Sequence, residues 1–520
     1  MPGSPRIARR PEQGVRPDTY LFFFVSFALV VLLTHSPYFE LPYFWDELGQ
    51  FVPAALDILH DGAWVPHSTV PNAHPPGVMA YLAAVWKIFG YSIVATRAAM
   101  LLLASIGALA TFLLAIHLCR GLSGAPAFIP VLLLLLDPLF YMQSMMAQLD
   151  MPAMVFTVAG LLLFLQDRHK TAALVCTALV LCKETGALLP LILGIVLLAD
   201  PARAKHAAYY LAPFLVLAVW FFVLWRVTGQ ILGDAGYAHY NVGYALHPVR
   251  AALCLARRIY YLFIDDFRFV GSIAIILAWR KTRVFSNRAW RITWLFLGTH
   301  VLMVSVLGGA ELERYLLPVL PLLYIALAAA WSVVLRPLWR NVSLALLSAG
   351  LLAGLFFNPP FPFPFENNLA MVDFVQLHHN AAEYLERNYA NQTIYTAWPL
   401  TGALRDPAFG YVQHKLTTAE TSDFGYSTLK KLDPKSVNVL VLYSRTWEPT
   451  WGVLRWPLVV RILRHFYQYE PQMNAGEVNV HFGLTLVQSW TQRGQWVQVY
   501  TKVTNPPPTA YLKPVLKPGF

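Results

Sequence analysis

The feature that most constrains the fold is a succession of apolar runs that reach or approach the length needed to cross a bilayer. A helix needs roughly 20 apolar residues to span the hydrocarbon core. The runs are residues 20–36, 93–118, 127–145, 151–167, 171–183, 186–200, 209–228, 266–280, 291–309, 315–335 and 342–357. Only 13% of the residues are charged, whereas about a quarter are charged in an ordinary soluble protein. The sequence therefore predicts a polytopic α-helical membrane protein with about eleven spans.

The short linkers between these runs sort by charge and predict an orientation. Lys and Arg are concentrated in the N-terminal segment 1–19 and at or near residues 120, 167–170, 203–206, 280–291 and 336–340. The positive-inside rule places these segments in the cytoplasm. Much of the net charge of +11 is thereby explained by topology, and we exclude nucleic acid as a partner.

Two further segments are predicted to lie along the outer surface. The apolar segment 77–90 falls inside a long first outer loop, 37–92, and counting it as a span would invert every later charged linker. The segment 250–265 carries Arg257, Arg258 and Asp265, and it is assigned to the outer surface for the same reason. We therefore expect residues 20–357 to form the transmembrane domain.

The C-terminal third has the patterning of a small α/β domain. A proline-rich linker, 358–365, separates it from the last span, and a second proline-rich stretch, 506–520, forms an extended tail. An odd number of spans places the domain, residues 366–505, outside the cytoplasm. The periodicity predicts an amphipathic helix at 372–389 and strands at 393–398, 437–443, 477–488 and 495–503, the last two forming a hairpin.

Five polar elements fall on the predicted outer face. They are Asp46-Glu47, His74 before Pro75-Pro76, Asp150, Lys183-Glu184, and Glu313-Arg314-Tyr315. Taken singly, each has an ordinary explanation, such as a solvated loop, a local ion pair or an arginine that snorkels to the interface. Ionisable groups next to lipid are costly, however, and five sets on one face indicate a functional site.

The charges suggest a type of chemistry. Lys183, Arg314 and His74 could neutralise the charge that develops on a departing phosphate. Asp46 or Asp150 could take the proton of an incoming nucleophile. At the mouth of a helical bundle, this combination suits transfer of a group from a lipid phosphate to an acceptor outside the cell.

These motifs resemble those of the GT-C glycosyltransferases that use polyprenyl-phosphate sugars, such as protein O-mannosyltransferases and the transferases that add aminoarabinose to lipid A. The shared order is an acidic pair after the first span, a Pro-Pro helix start, a second outer Asp, a Lys at a span end, and an Arg-Tyr pair followed by spaced prolines. In this chain these are Asp46-Glu47, Pro75-Pro76, Asp150, Lys183, and Arg314-Tyr315 with Pro318 and Pro321. The resemblance covers roughly residues 15 to 357.

The resemblance implies an inverting transfer in which three carboxylates are catalytic. Asp46 would be the general base, and Glu47 would support the acceptor or the donor sugar. Asp150 would position the acceptor or share the role of base. The polyprenyl-phosphate sugar is the donor, and no cofactor is expected, although the acidic pair leaves binding of a divalent metal open.

The resemblance also implies a set of residues that bind the donor phosphate. These are His74, Lys183, Arg314 and Tyr315, with Glu184 and Glu313 in support. The aminoarabinose transferases have a Lys where this chain has His74, which replaces a permanent charge by a group that titrates near neutral pH. Aminoarabinose is therefore a less favoured donor here.

Two alternatives use the same lipids. A lipid-linked oligosaccharide ligase or polymerase would depend on a large, arginine-containing late outer loop, and a lipid or sugar transporter would show internal repeats and charges near the bilayer midplane. The early acidic pair and the one-sided charge favour the transferase. Its partners would be the bilayer, the lipid-linked sugar, and a lipid, glycan or protein acceptor. The absence of eukaryotic retention signals favours the bacterial inner membrane.

Overall fold

The computed structural model describes residues 17–122, 127–243, 246–359, 361–445, 452–467 and 469–502. Most of the predicted N-terminal segment 1–19 and the whole predicted tail 506–520 lie outside these ranges. The described residues form a large helical part, which ends at Phe356, and a smaller part with a β-sheet.

The helical part consists of α-helices, which are separated by turns and 3₁₀ segments. In chain order they are α1 (Pro17–His35), α2 (Val52–Asp61), α3 (Gly77–Phe89), α4 (Ile93–Leu118), α5 (Phe128–Leu136), α6 (Pro138–Ser144), α7 (Asp150–Leu165), α8 (His169–Cys182), α9 (Leu188–Leu198), α10 (Leu211–Thr228), α11 (Ala235–Ala238), α12 (Pro248–Phe263), α13 (Phe269–Lys281), α14 (Arg288–Val306), α15 (Leu320–Val334) and α16 (Pro337–Phe356).

Six helical stretches among the described residues are long and apolar enough to cross a membrane. They are Asp18–Tyr38, Ile93–Leu118, Ala204–Thr228, Arg288–Val306, Glu313–Val334 and Pro337–Phe356. Shorter apolar helices occupy Gly77–Phe89, Asp150–Leu165, His169–Cys182 and Glu184–Leu198. The chain is therefore an integral membrane protein, but the predicted count of about eleven spans is not confirmed.

Polar and proline residues explain why some predicted spans are shorter in the structure. The run 127–145 is two helices, α5 and α6, because Asp137 leaves the helical conformation and caps α6 by accepting hydrogen bonds from Leu139 N and Phe140 N. Pro138 then occupies the first position of α6, where a missing N–H is tolerated. Arg268 compensates the buried charge of Asp137 at 2.7 Å.

The two segments predicted to lie on the surface are both helical. Helix α3 has 13 residues and α12 has 16, so each is shorter than a typical span. Helix α3 approaches α8 closely at Gly77, where a Cβ atom would lie 2.5 Å from the carbonyl oxygen of Leu181. Helix α15, in contrast, is buried along almost its whole length and packs against α5 and α13 at the centre of the bundle.

The smaller part begins with α17 (Ala370–Tyr389), which corresponds to the predicted helix 372–389. The other elements, in chain order, are β1 (Ile394–Ala397), α18 (Leu400–Arg405), β2 (Thr418–Thr421), α19 (Tyr426–Leu429), β3 (Val439–Tyr443), α20 (Pro457–Tyr467), α21 (Ala475–Phe482), β4 (Thr485–Gln492) and β5 (Gln495–Thr501). Among the described residues these strands form one sheet in the order β2-β1-β3-β5-β4.

Strand β3 is fully buried at the centre of the sheet. It lies parallel to β1 and antiparallel to β5, and β4 and β5 form the predicted hairpin. The predicted strand 477–488 is wrong in its first half, which is helix α21. Asn474 begins that helix with a capping box that it shares with Glu477, and this local signal overrides the alternation of apolar residues.

The sheet-containing part packs against the loop that follows α1. The hydroxyl of Tyr411 donates to the carbonyl oxygen of Tyr43 at 2.8 Å, and the rings of Phe44 and Phe374 meet edge to face. A Cβ atom on Gly49 would come within 2.6 Å of the indole of Trp398. These contacts bring the C-terminal part next to the acidic pair.

Candidate active site

Asp46 lies where the loop after α1 turns into a helical segment. Trp45, the residue before it, has φ +44°, in the left-handed region that residues other than glycine rarely adopt. A single wide, π-helical turn, Glu47–Phe51, follows Asp46, and such turns are frequent at functional sites. The side chain of Asp46 is 21% exposed, so it remains accessible to solvent.

Arg314 is the central cation of the site. It lies in the 3₁₀ segment Glu313–Val319, directly before α15. Its guanidinium donates to Asp46 and to the side-chain oxygen of Gln148, and it donates to Glu366 Oε2 at 3.1 Å. Its Nε atom lies 3.3 Å from Asp150 Oδ2. One guanidinium therefore joins three carboxyl groups that are distant in sequence.

Asp150 also binds the second cation of the site. It begins α7, and its Oδ1 atom lies 2.5 Å from Lys183 Nζ at the end of α8. The ammonium of Lys183 lies 4.2 Å from the centre of the Tyr315 ring, a cation–π distance. Asp150, Lys183 and Tyr315 line a cavity whose other walls are largely apolar. We call it the first cavity.

The structure thus brings together four of the residues that the sequence singled out, Asp46, Asp150, Lys183 and Arg314. Their contacts form one continuous chain from Asp46 through Arg314 and Asp150 to Lys183. Buried charges are stable only when they are paired, and here each acid faces a cation. The four side chains therefore belong to one network of ion pairs, and their roles in catalysis and phosphate binding stay predictions.

His74 lies beside this site and has different partners. Its Nδ1 atom lies 2.7 Å from Glu184 Oε2, and its Nε2 atom lies 3.1 Å from the hydroxyl of Tyr237. Glu184 directly follows Lys183 in the 3₁₀ segment Glu184–Ala187. His74 therefore reaches the lysine region through Glu184, and its role as a phosphate ligand stays a prediction.

Glu47 points away from Arg314, into the protein interior. Its side chain is fully buried, with a bidentate ion pair to Arg97. It also accepts hydrogen bonds from Phe44 N at 2.8 Å and Ala147 N at 2.7 Å. Since Glu47 has no exposed surface through which to contact a sugar, its geometry supports a structural role that differs from the predicted catalytic one.

The side chain of Glu313 contacts residues next to the site and not Arg314 itself. Its carboxylate accepts from Arg257 Nε at 2.5 Å and from Asn367 Nδ2 at 2.9 Å. Asn367 is the neighbour of Glu366, which itself contacts Arg314. Two neighbouring contacts, Arg314 to Glu366 and Glu313 to Asn367, thus join the two segments. The role of Glu313 in supporting the donor phosphate stays a prediction.

Glu366 is a site residue that sequence reasoning missed. It belongs to the 3₁₀ segment Phe365–Asn367, between the last helix of the bundle and α17, and it is 3% exposed. Burial raises the pKa of Glu366 to about 7, although the guanidinium of Arg314 acts in the opposite direction. Its Oε1 atom is buried and has no hydrogen-bond partner among the described residues.

Gln148 was also missed, although its sequence neighbour Asp150 was not. Its amide oxygen accepts from Arg314, and its NH₂ group lies 3.4 Å from Glu366 Oε2. The only available signal was its place in the short loop before α7. A neutral amide in that position does not indicate a buried network of charged groups.

The carboxylates of the site do not form a ready-made metal centre. Asp46, Asp150 and Glu366 surround the guanidinium of Arg314, so a divalent ion could bind all three only by displacing it. Elsewhere among the described residues, Asp57, Asp61 and His67 form one group of three potential metal ligands.

The helical part, with the sheet-containing part packed against it, is similar to solved structures of the GT-C fold. The chain therefore has the GT-C fold, and the resemblance predicted from the sequence is confirmed at the level of the fold.

Two solved structures carry this comparison. The chain is similar to ArnT from Cupriavidus metallidurans bound to undecaprenyl phosphate, with a TM-score of 0.55 and 14% identity over 93% of this chain and 98% of that one. It is similar to the same protein in the apo state, with a TM-score of 0.52, the same identity and the same coverage. No family model and no curated protein matches the sequence.

Proposed function

We propose that the chain is an integral membrane glycosyltransferase that moves a sugar from a polyprenyl-phosphate donor to an acceptor, with inversion at the anomeric carbon. The observation that carries the proposal is the guanidinium of Arg314 between Asp46 and Asp150, with Lys183 on the far side of Asp150. This unit places a base and two cations within a few contacts of each other. The undecaprenyl phosphate bound to ArnT, a protein of the same fold, supports a lipid-phosphate donor.

The first cavity suits the phosphate end of such a lipid. Its polar lining includes Lys183 and Tyr315 together with Asp150, the partner of Lys183, whereas Leu179, Phe296 and Val304 provide apolar surface for the first isoprene units. The arriving phosphate would draw Lys183 and Arg314 partly away from their carboxylates. Once they contact the phosphate, both cations are in position to stabilise the charge that develops on the leaving group.

The reaction would proceed in one displacement. Asp46 takes the proton of an acceptor hydroxyl, and the resulting oxygen attacks the anomeric carbon from the face opposite the phosphate. The bond between that carbon and the phosphate oxygen breaks, and its electron pair leaves with the polyprenyl phosphate. Arg314 and Lys183 stabilise the increased negative charge, and the hydroxyl of Tyr315 could donate a hydrogen bond to it.

We place this chemistry on the outer side of a bacterial inner membrane. The basic linkers at 167–170, 203–206 and 280–291 support a cytoplasmic location for the opposite end of the bundle. The sheet-containing part would then be extracytoplasmic and would lie over the acceptor side of the site. A reporter fused at the C-terminus tests this orientation, and a cytoplasmic signal would contradict it.

The catalytic proposal is tested with purified protein in lipid nanodiscs. Lys183→Gln and Arg314→Ala should each weaken binding of undecaprenyl phosphate by about tenfold or more, because each removes a charge-assisted hydrogen bond. Lys87→Ala is the control, since Lys87 is exposed at the end of α3. Unchanged affinity in the correctly folded Lys183→Gln and Arg314→Ala variants would refute the phosphate site.

The role of the base is tested separately. Asp46→Asn should bind undecaprenyl phosphate as the wild type does but should lose sugar transfer, measured by mass spectrometry of lipids and glycans from a complemented deletion strain. Transfer at the wild-type rate would remove Asp46 from the mechanism.

A further inference from the structure

A second cavity lies beside the candidate active site. It lies between the turn Glu47–Phe51, the loop from α2 to α3, and Trp220 of α10. Among the described residues, none lines both this cavity and the first one.

The lining of the second cavity combines aromatic rings with uncharged polar groups. Trp64, Phe51 and Trp220 provide the apolar surface, and Gln50 and Asn72 provide amide groups. Among the described residues no carboxylate, lysine or arginine lines it. A lipid phosphate would find no permanent countercharge there. A sugar ring would find an aromatic face for its C–H groups and amides for its hydroxyls.

Two of these polar side chains hold each other in position. The Nδ2 atom of Asn72 donates to Gln50 Oε1 at 3.2 Å, and Asn72 Oδ1 accepts from the backbone N–H of His74 at 3.0 Å. The NH₂ group of Gln50 has no partner among the described residues. Trp64 is 56% exposed. The amide group of Gln50 and the ring of Trp64 are therefore both available to a ligand.

The second cavity is also connected to the proposed chemistry. Gln50 lies four residues after Asp46, about one turn along the same helical segment. His74 lines the cavity, and its partner Glu184 stands between Lys183 and Thr185, which both line the first cavity. A ring held by Gln50 and Trp64 would therefore lie near both the base and the phosphate site.

We propose that the second cavity binds an uncharged sugar ring, for which Trp64 provides the stacking face and Gln50 the hydrogen bonds that fix its orientation. This inference rests on the function proposed above and adds the class of ligand and its place. The ring belongs either to the transferred sugar of the lipid-linked donor or to a glycan acceptor, since both offer the same chemistry.

The experiment compares Trp64→Ala and Gln50→Ala with Trp456→Ala, which removes a tryptophan of similar exposure, 61%, outside the cavity. Full-length protein in nanodiscs is titrated with undecaprenyl phosphate, with undecaprenyl-phosphate-linked mannose, glucose, galactose and arabinose, and with an array of uncharged mono- to trisaccharides. The bare lipid phosphate should bind to all three variants as to the wild type.

The two sources of the ring give different results. If the ring is that of the donor, Trp64→Ala and Gln50→Ala reduce the affinity for one sugar-linked lipid by about tenfold, the effect of losing one good contact. If it belongs to the acceptor, glycolipid binding is unchanged and binding to the array is lost. If Trp64→Ala and Gln50→Ala bind the sugar-linked lipids and the saccharide array as the wild type does, the inference is overturned.

Failure of the inference and failure of the proposed function can be told apart. The proposed function fails when Lys183→Gln and Arg314→Ala bind undecaprenyl phosphate normally. The inference fails when these variants lose that binding while Trp64→Ala and Gln50→Ala keep all sugar binding. A loss in Trp456→Ala equal to that in Trp64→Ala would also overturn it.

Discussion

Asp46 and Glu47 are adjacent carboxylates, yet the structure predicts opposite consequences when each is replaced by its amide. Asp46 contacts Arg314 and is partly exposed, whereas Glu47 is fully buried against Arg97. We expect Asp46→Asn to abolish transfer in a stable protein. We expect Glu47→Gln to reduce stability, and to reduce transfer only as far as folded protein is lost.

The size of the stability effect follows from the partners of Arg97. Removing one member of a buried ion pair costs about 3–5 kcal/mol. Arg97 keeps three backbone acceptors, Met145 O at 2.9 Å, Leu41 O at 3.1 Å and Pro42 O at 3.2 Å. We therefore expect a loss near the lower limit, about 3 kcal/mol. In Glu47→Gln the new NH₂ group would lie against a backbone N–H, that of Phe44 or Ala147. Two donors cannot form a hydrogen bond, so the variant does not recover this loss.

The assay is thermal unfolding in detergent, followed by the fraction of protein that remains monodisperse, with transfer measured on the same preparations. Glu47→Gln should unfold at a clearly lower temperature than the wild type, and Asp46→Asn close to it, because Arg314 retains Asp150 and Glu366. Transfer per folded molecule should fall by about 10²–10⁴-fold only in Asp46→Asn. A Glu47→Gln protein with wild-type stability and no transfer would refute this reasoning.

Three further perturbations test packing and charge. Gly77→Val places side-chain atoms against the carbonyl oxygen of Leu181, and we expect a lower melting temperature from about 1–3 kcal/mol of overpacking. Gly49→Val places side-chain atoms against the indole of Trp398. Because this loosens the packing of the C-terminal part, we expect its limited proteolysis to be faster. With a folded-state pKa of about 7 against an ordinary value of 4.5, Glu366 stabilises the fold below pH 4.5, and this contribution is lost as pH rises through 7. Glu366→Gln should flatten that pH dependence of the melting temperature.

The sequence predicted the helical class and most of the sheet, because apolar length and alternation are local signals. It did not predict where long apolar runs break. Asp137 interrupts a run that looks continuous, since its carboxylate caps α6 and its charge is compensated by Arg268, 131 residues away. Strand β2, of sequence Thr-Ala-Glu-Thr, was not predicted, because it has no apolar alternation. Only its pairing with β1 makes it a strand.

The site was predictable where the charges themselves were unusual in an apolar context, as for Asp150 and Arg314. The site was not predictable where the role of a residue depends on the direction in which its side chain points. Asp46 and Glu47 look equivalent in the sequence, and only the wide turn after Trp45 sends one towards Arg314 and the other towards Arg97. Glu366 follows a proline-rich linker and resembles a surface residue until the fold brings it to Arg314.

Charge balance gives Glu366 a specific part in donor binding. The site holds three carboxyl groups, Asp46, Asp150 and Glu366, against two cations, Arg314 and Lys183. An arriving phosphate adds negative charge, which a protonated Glu366 tolerates better than an ionised one. Since burial raises the pKa of Glu366 to about 7, undecaprenyl phosphate should bind more weakly as pH rises through 7.

The phosphate has its own ionisation in this range, so the variant must separate the two effects. In Glu366→Gln the amide remains neutral at every pH, and the affinity for undecaprenyl phosphate should fall less between pH 6 and pH 8 than in the wild type, a range on either side of the pKa of about 7. Identical pH profiles would mean that Glu366 does not exchange a proton when the phosphate binds. The carboxyl group would then serve only to hold Arg314 in place between Asp46 and Asp150.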